Sequence, residues 1–275
     1  MSRLRALLGD YPQTRAIRQG TLRAPTVELE FAEEAVPNKA FKRVVRDMSF
    51  DVAELALMTF LMARALGRPL VLLPVVVFSR NPLQYLVCNA AKRRVTPADM
   101  AGCRIGVRSY TTTTAVWVRG LLQQEFGVDP SSLDWITLEE SHVAEFADPP
   151  NVRRGSPDAK LGEMLMSWEI DAAIVDPVPA DARVVPVVPD HEQILQTWQS
   201  RHHAQTINHM VVVHEQLARD HPGVVREVLE LFRAAGLVRD REWLRPSLEI
   251  AAAYAHRQGL IARPLSVEEM FDASL

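Results

Sequence analysis

The chain has 275 residues, 48% hydrophobic and 24% charged, which is globular composition long enough for two domains or one large one. Its net charge of −3 excludes the strongly basic face of a nucleic-acid-binding domain. No apolar run approaches a membrane span; the longest, residues 69–78, contains two prolines.

The first element read in chain order is RLRALL, a short strand. The apolar run there is too short for a signal-peptide core, so a sequence complete at its start is expected to be cytoplasmic. GDYPQT follows as a loop, then a short helix to Gly20. TVELEF alternates apolar and polar residues with period two, as a half-exposed strand does. NKAFKRVVRDM places Phe41, Val44, Val45 and Met48 on a helical stripe after an Asn start. FDVAEL reads as a short buried strand closed by Asp51 and Glu54, and ALMTFLMARALG as a buried helix closed by Gly67. PLVLLPVVVF and QYLVCNA are strands, and TPADMAG is one helical turn opened by a Thr cap and a Pro.

RIGV is the next strand, RSYT a loop, and residues 112–126 a helix ended by Gly127. LDWITL is a strand, and residues 139–157, rich in proline and acidic residues, read as a loop excursion. DAKLGEMLMSWE is a helix, IDAAIVD a strand, residues 190–199 a helix and TINHMVVV a strand. HPGVVREVLELFRAAG, REWLRPSLEIAAAYAHRQ and SVEEMFDA make the C-terminal third helical. Alternating elements predict an α/β fold with mostly parallel sheet. Cys88 and Cys103 show no CxxC or CxxH pattern, so no zinc site is expected and two buried free thiols are.

In open α/β sheets, ligands bind outside the carboxyl ends of strands. That rule selects Asp10 and Tyr11 after the first strand, with Gly9 and Thr14, and Glu54 after FDV. It selects Ser79, Arg80 and Asn81 after VVVF, and Asp176 after AAIV. After RIGV it selects Arg108, Ser109, Tyr110 and the run Thr111, Thr112, Thr113 and Thr114. Threonine is a mediocre helix former. Four together at a helix start, next to Arg108, suggest a seat for an anion such as a carboxylate, besides one threonine capping the helix. The glycines and lysine of a phosphate loop are missing.

Most of the eight histidines, His202 and His203 among them, sit in surface or structural contexts. His209, inside an apolar strand expected to cross the inter-domain region, is kept as a candidate. Glu54 reads either as a general acid or as a helix cap. GxSxG is absent, and Trp117, Trp135, Trp168 and Phe126 are expected in the core.

The order GDY, FDVAELALMTFLMAR, PVVVFSR, GCRIGVRSYTTTTAVWVRGLLQQEFGVD, LDWIT, WEIDAAI and NHMVVVHEQLARDHPGVVREVLELFRAA resembles the type 2 periplasmic-binding-protein fold. More narrowly it is similar to the 4,5-dihydroxyphthalate decarboxylase family built on that fold, most specifically over residues 102–137. The resemblance implies two α/β lobes joined by two crossover segments, residues 1–83 plus 205–275 and residues 84–204, with a ligand cleft between them. It also implies a lyase that removes one carboxylate from a hydroxylated aromatic acid. Glu54, Arg80 and His209 are then the catalytic candidates, and the other selected residues the substrate contacts. Relatives carry R-x-F-R-H-S after the strand ending in VF. Here the chain reads SRNPLQY, so Arg80 matches, while Leu83 and Gln84 stand near the second Arg and the His.

No organic cofactor is expected, no residues are assigned to a metal, and a divalent metal is left open. The expected partner is a small aromatic or carboxylate ligand, with no nucleic acid and no membrane; the oligomeric state is open. Two other readings stand beside the decarboxylase. One is a binding protein that closes on a small carboxylate without chemistry. The other is a different enzyme on the same scaffold, acting on another aromatic or cyclised acid.

Overall fold

The computed structural model describes residues 2–34, 36–156 and 158–272. Pro157, at the end of the expected loop excursion, and Ala273, at the end of SVEEMFDA, lie outside the described residues. The chain divides into two compact units, residues 1–79 with 207–275, and residues 80–206.

The first unit begins with β1 (Ser2–Leu7), α1 (Arg15–Arg18), β2 (Val27–Phe31), α2 (Phe41–Val45), β3 (Val52–Ala56), α3 (Leu57–Ala65) and β4 (Leu70–Ser79). The second holds β5 (Leu86–Asn89), β6 (Arg104–Val107), α4 (Thr113–Phe126), β7 (Asp134–Thr137), β8 (Val152–Arg154), α5 (Leu161–Met166), β9 (Ala172–Ile174), β10 (Val184–Pro186) and α6 (His191–His202). The chain then returns to the first unit as β11 (Ile207–His214), α7 (Glu215–Asp220), α8 (Pro222–Ala234), α9 (Arg241–Arg257) and α10 (Val267–Met270).

Each unit has one sheet. The first runs β2-β1-β3-β11-β4 and the second β10-β5-β9-β6-β7-β8. The sheets are mixed, which corrects the expectation of mostly parallel pairing. β11 runs antiparallel to both β3 and β4, and β5 antiparallel to both β9 and β10. The reason is where the chain crosses. It leaves the first unit at Ser79, the end of β4, and re-enters at Ile207, the start of β11, and these two residues pair across the sheet. A strand that starts beside its neighbour's end must run the other way.

Several local expectations shift. The stretch 139–157 is not all loop, because its end adds β8 as an edge strand on β7. The helix expected over NKAFKRVVRDM is a 3₁₀ turn followed by the short α2, with Met48 in the left-handed region at φ 51°. DAKLGEMLMSWE keeps only α5. Trp168 has φ 61° and is 41% exposed, so it is not a core residue. Trp117 and Trp135 are buried as expected. β3 is buried along its whole length and followed at once by α3, whose first seven residues are buried. α8 turns Val225, Val228, Leu231 and Phe232 onto the core, the 3–4 spacing of one helical face. The first unit's core collects these with Leu4, Val52, Val71 and Val213.

Candidate functional site

Glu54 is the middle residue of β3 and is fully buried. It neither closes the strand nor caps α3, and Asp51 precedes the strand. A carboxylate taken out of water is costly unless donors replace the water. Three do so here. The Gly9 N–H donates to Oε2 at 2.8 Å, and the Tyr11 hydroxyl to Oε1 at 2.8 Å. His209 Nδ1 lies 2.6 Å from the same Oε1.

Sheet register explains the meeting. β3 lies between β1 and β11, and His209 pairs with Ala56 while Val211 pairs with Glu54. Residues two apart on a strand share a face, so Glu54 and His209 are diagonal neighbours on one face. The loop leaving β1 supplies Gly9 and Tyr11 from the other side. With Nδ1 held by a carboxylate, Nε2 is the atom the His209 ring can offer to a ligand. Among the described residues, Nε2 has no hydrogen-bond partner. The imidazole is steadied by rings, Phe41 edge-on at 5.2 Å and Phe78 tilted at 4.3 Å between centroids. The Tyr11 ring meets Phe78 edge-on at 5.4 Å.

The β1 loop is built to hold Tyr11. Buried Thr14 accepts from the Tyr11 N–H at 2.9 Å and donates to the Gly9 carbonyl at 2.6 Å. A Cβ at Gly9 would stand 2.4 Å from the Tyr11 ring, so only glycine lets that ring come so close. Asp10 is exposed and pairs with Arg15 at 3.2 Å. Ser79 is exposed at the end of β4.

The second unit holds the remaining candidates. Arg80 Nη1 meets Asp176 Oδ2 at 2.6 Å, and its guanidinium lies 5.1 Å above the Tyr85 ring. Asn81 caps the turn after it through Leu83 N at 3.0 Å, and its amide nitrogen reaches His191 Nδ1, also at 3.0 Å. Leu83, near the place of the family's Arg-His pair, is fully buried. Leucine at that place can supply no proton.

At the α4 start, Thr112 is the N-cap by position but its side chain makes no cap bond, which corrects that expectation. Its hydroxyl donates to the Ser109 carbonyl at 3.2 Å. Thr111 shares its hydroxyl with Ser109 and donates to Ser141 at 3.2 Å, and Thr113 is buried. Arg108 pairs with Glu139 at 3.0 Å. Tyr110 lies in the core, its ring 3.7 Å from the Arg119 guanidinium. Arg119 is fully buried in α4 and donates to the Tyr110 carbonyl at 2.7 Å. Burial pulls it down to about 10, which leaves it charged at neutral pH. Within VWVRGLL nothing in the sequence distinguished it from a surface arginine.

Burial pushes both thiols up and leaves them free. Among the described residues, no group of three or more His, Cys, Asp or Glu is placed to hold a metal, and no helix is long and apolar enough to cross a membrane.

No protein-family model matches the chain. It is 26% identical over 254 residues to a 4,5-dihydroxyphthalate decarboxylase of Comamonas testosteroni, covering 84% of this chain and 75% of that one. A second 4,5-dihydroxyphthalate decarboxylase, of Pseudomonas putida, is 28% identical over 63% of this chain and 70% of its own length. The chain resembles the 4,5-dihydroxyphthalate decarboxylases. Its fold is that of type 2 periplasmic binding proteins. The alkanesulfonate-binding protein SsuA of Xanthomonas axonopodis pv. citri superposes with a TM-score of 0.55 at 16% identity, over 98% of this chain and 89% of that one. Alongside its likeness to the decarboxylases, the chain carries a buried carboxylate bonded to a histidine and a tyrosine, a set of groups able to move protons.

Proposed function

We propose that the chain is a decarboxylase of a hydroxylated aromatic carboxylate such as 4,5-dihydroxyphthalate, working without an organic cofactor. The observation that carries this reading is the similarity to two such decarboxylases, over 84% of the chain in the longer match. The Glu54 cluster supports it by offering what the chemistry needs. Replacing a ring carboxylate by hydrogen requires an acid at the ring carbon and withdrawal of the proton from a ring hydroxyl, so that electrons flow toward that carbon. In this reading His209 is the acid, through Nε2. Glu54, with no exposed surface, is a positioning residue that orients the imidazole. Phe41 and Phe78 make the surroundings of the imidazole apolar, which favours loss of charge as CO₂ leaves. Arg80 and Arg108, both in the second unit, are proposed separately as cations able to bind a carboxylate.

The test is a CO₂-release assay run with thermal-shift measurements on the purified chain, against phthalates and hydroxybenzoates, with chelator and with added divalent metal. CO₂ release in chelator supports the reading without a metal; release only with metal supports the decarboxylase and adds a metal requirement. A thermal shift without CO₂ favours the binding-protein reading. Neither signal with any compound overturns both.

A further inference from the structure

Resting on the decarboxylase reading, we infer that Thr14 is a positioning residue for the acid His209: its hydroxyl orients the Glu54 carboxylate through Gly9 and Tyr11. Thr14 occupies the N-cap position of α1, where a threonine hydroxyl ordinarily accepts from an N–H of its own helix. Here it makes no such bond. The side chain is fully buried and turned back into the β1 loop. There it donates to the Gly9 carbonyl at 2.6 Å and accepts from the Tyr11 N–H at 2.9 Å. Those two residues are the ones that meet Glu54. The Gly9 N–H donates to Oε2 and the Tyr11 hydroxyl to Oε1, each at 2.8 Å. One buried hydroxyl therefore ties together both loop donors of the carboxylate.

The carboxylate depends on those donors for its direction. The last torsion of a glutamate side chain is broad and has no sharp wells of its own. The plane of the Glu54 carboxylate is therefore set by what its two oxygens accept. With Gly9 on Oε2 and Tyr11 on Oε1, Oε1 also stands 2.6 Å from His209 Nδ1. A carboxylate fixed there holds the proton of the neutral imidazole on Nδ1, which leaves Nε2 as the nitrogen that takes up and delivers a proton. Ring contacts with Phe41 and Phe78 hold the imidazole but do not choose between its nitrogens. A carboxylate without its two loop donors turns about its last torsion and no longer fixes one tautomer.

The test is Thr14→Val, which keeps the branched shape and removes the hydroxyl, beside Thr14→Ser, which retains it. Nitrogen NMR of isotope-labelled histidine at mildly alkaline pH reads which ring nitrogen carries the proton. The His209 signals are those missing from His209→Gln. Wild type and Thr14→Ser are expected to show the Nδ1–H form, and Thr14→Val a mixture of both forms. An unchanged signature in Thr14→Val overturns the inference whatever the activity. So does a wild type with its proton on Nε2, a result that does not depend on the folding of Thr14→Val. Gly9→Ala leaves Thr14 intact but sets a Cβ 2.4 Å from the Tyr11 ring, and should give the same mixture; the wild-type form there counts against the inference.

Activity supplies the second arm. On the compound the CO₂ assay selects, Thr14→Val should lose kcat about tenfold or more with KM within about threefold, and Thr14→Ser should recover most of the loss. A fall in kcat without a change of tautomer, or without recovery by serine, makes Thr14 a structural residue only and overturns the inference. Full kcat, or a rise in KM alone, overturns it as well. Where no compound releases CO₂, the nitrogen spectra still decide: mixed forms in Thr14→Val leave the positioning of His209 standing, and only the decarboxylase reading falls.

Discussion

Glu54 in the first unit and Arg80 and Arg108 in the second are held in opposite ways. In the first, Glu54 has no exposed surface and is matched by three donors from a loop, a tyrosine and a histidine. In the second, Arg108 and Glu139 form a pair whose side chains are 36% and 51% exposed, and Asp176, the partner of Arg80, is 53% exposed. A buried network has one geometry, because each unmatched donor there carries a desolvation cost. An exposed pair is nearly neutral in free energy and opens readily. The first arrangement suits a proton-transfer site, which needs fixed distances. The second suits cations that exchange one carboxylate for another.

Removing the buried acceptor should break the comparison hardest. Glu54→Gln keeps the shape but turns an acceptor into an amide that presents its own N–H groups to the three donors. One donor at least then goes unmatched, at about 1–3 kcal/mol of stability. Turnover should fall by about 10²–10⁴ as His209 and Tyr11 lose their common partner. Denaturant unfolding and kcat on the same preparation check both. Wild-type values for the pair would mean the carboxylate is a bystander.

The chain order of the elements was readable because period-two and helical stripes are local properties. Tyr11, Glu54 and His209 were each picked out by lying at strand ends or in an apolar strand, the rule for open α/β sheets. Their union was not readable, because it depends on β11 entering beside β3 in one register, and register is a long-range property. The same holds for the mixed sheet, since pairing sense follows the crossover and not the strand sequence. Phe78 also escaped assignment to this cluster. A phenylalanine at the end of a strand looks like core in any sequence, and only the position of His209 gives it a role here. In the threonine run the expected cap bond is not made: Thr112 is the N-cap by position, and its hydroxyl donates to the Ser109 carbonyl instead.

The exposed pairs should respond more weakly in stability and more strongly in affinity. Arg108→Ala is expected to change unfolding free energy by no more than about 1 kcal/mol, because Glu139 remains in water. Affinity for a carboxylate ligand should fall about tenfold or more if Arg108 supplies a charged hydrogen bond to it. Tryptophan fluorescence titration reads the affinity. Unchanged binding in both Arg108→Ala and Arg80→Ala removes the carboxylate-binding role proposed for these two cations.

The smallest effect is expected at Arg104 and Asp171, which lie between the two regimes with side chains 35% and 34% exposed. Asp171 accepts from Arg104 Nε and from the Arg104 backbone N–H, both at 2.9 Å, and so ties the start of β6 to the start of β9. The Arg104 side chain holds the Asp171 carboxyl below its usual range, against the opposing pull of burial. A carboxyl whose folded-state value is depressed stabilises the fold above its unfolded value, near ~3.9, and loses that contribution as pH falls through the folded value. Asp171→Asn should therefore cost little at neutral pH, a few tenths to about 1 kcal/mol. It should also flatten the acid limb of a stability–pH curve while leaving the neutral region parallel to the wild type. A loss at neutral pH as large as that of Glu54→Gln would show that a backbone donor, and not burial, is what makes a carboxylate indispensable in this fold. The contrast between the two units would then have to be redrawn on that line.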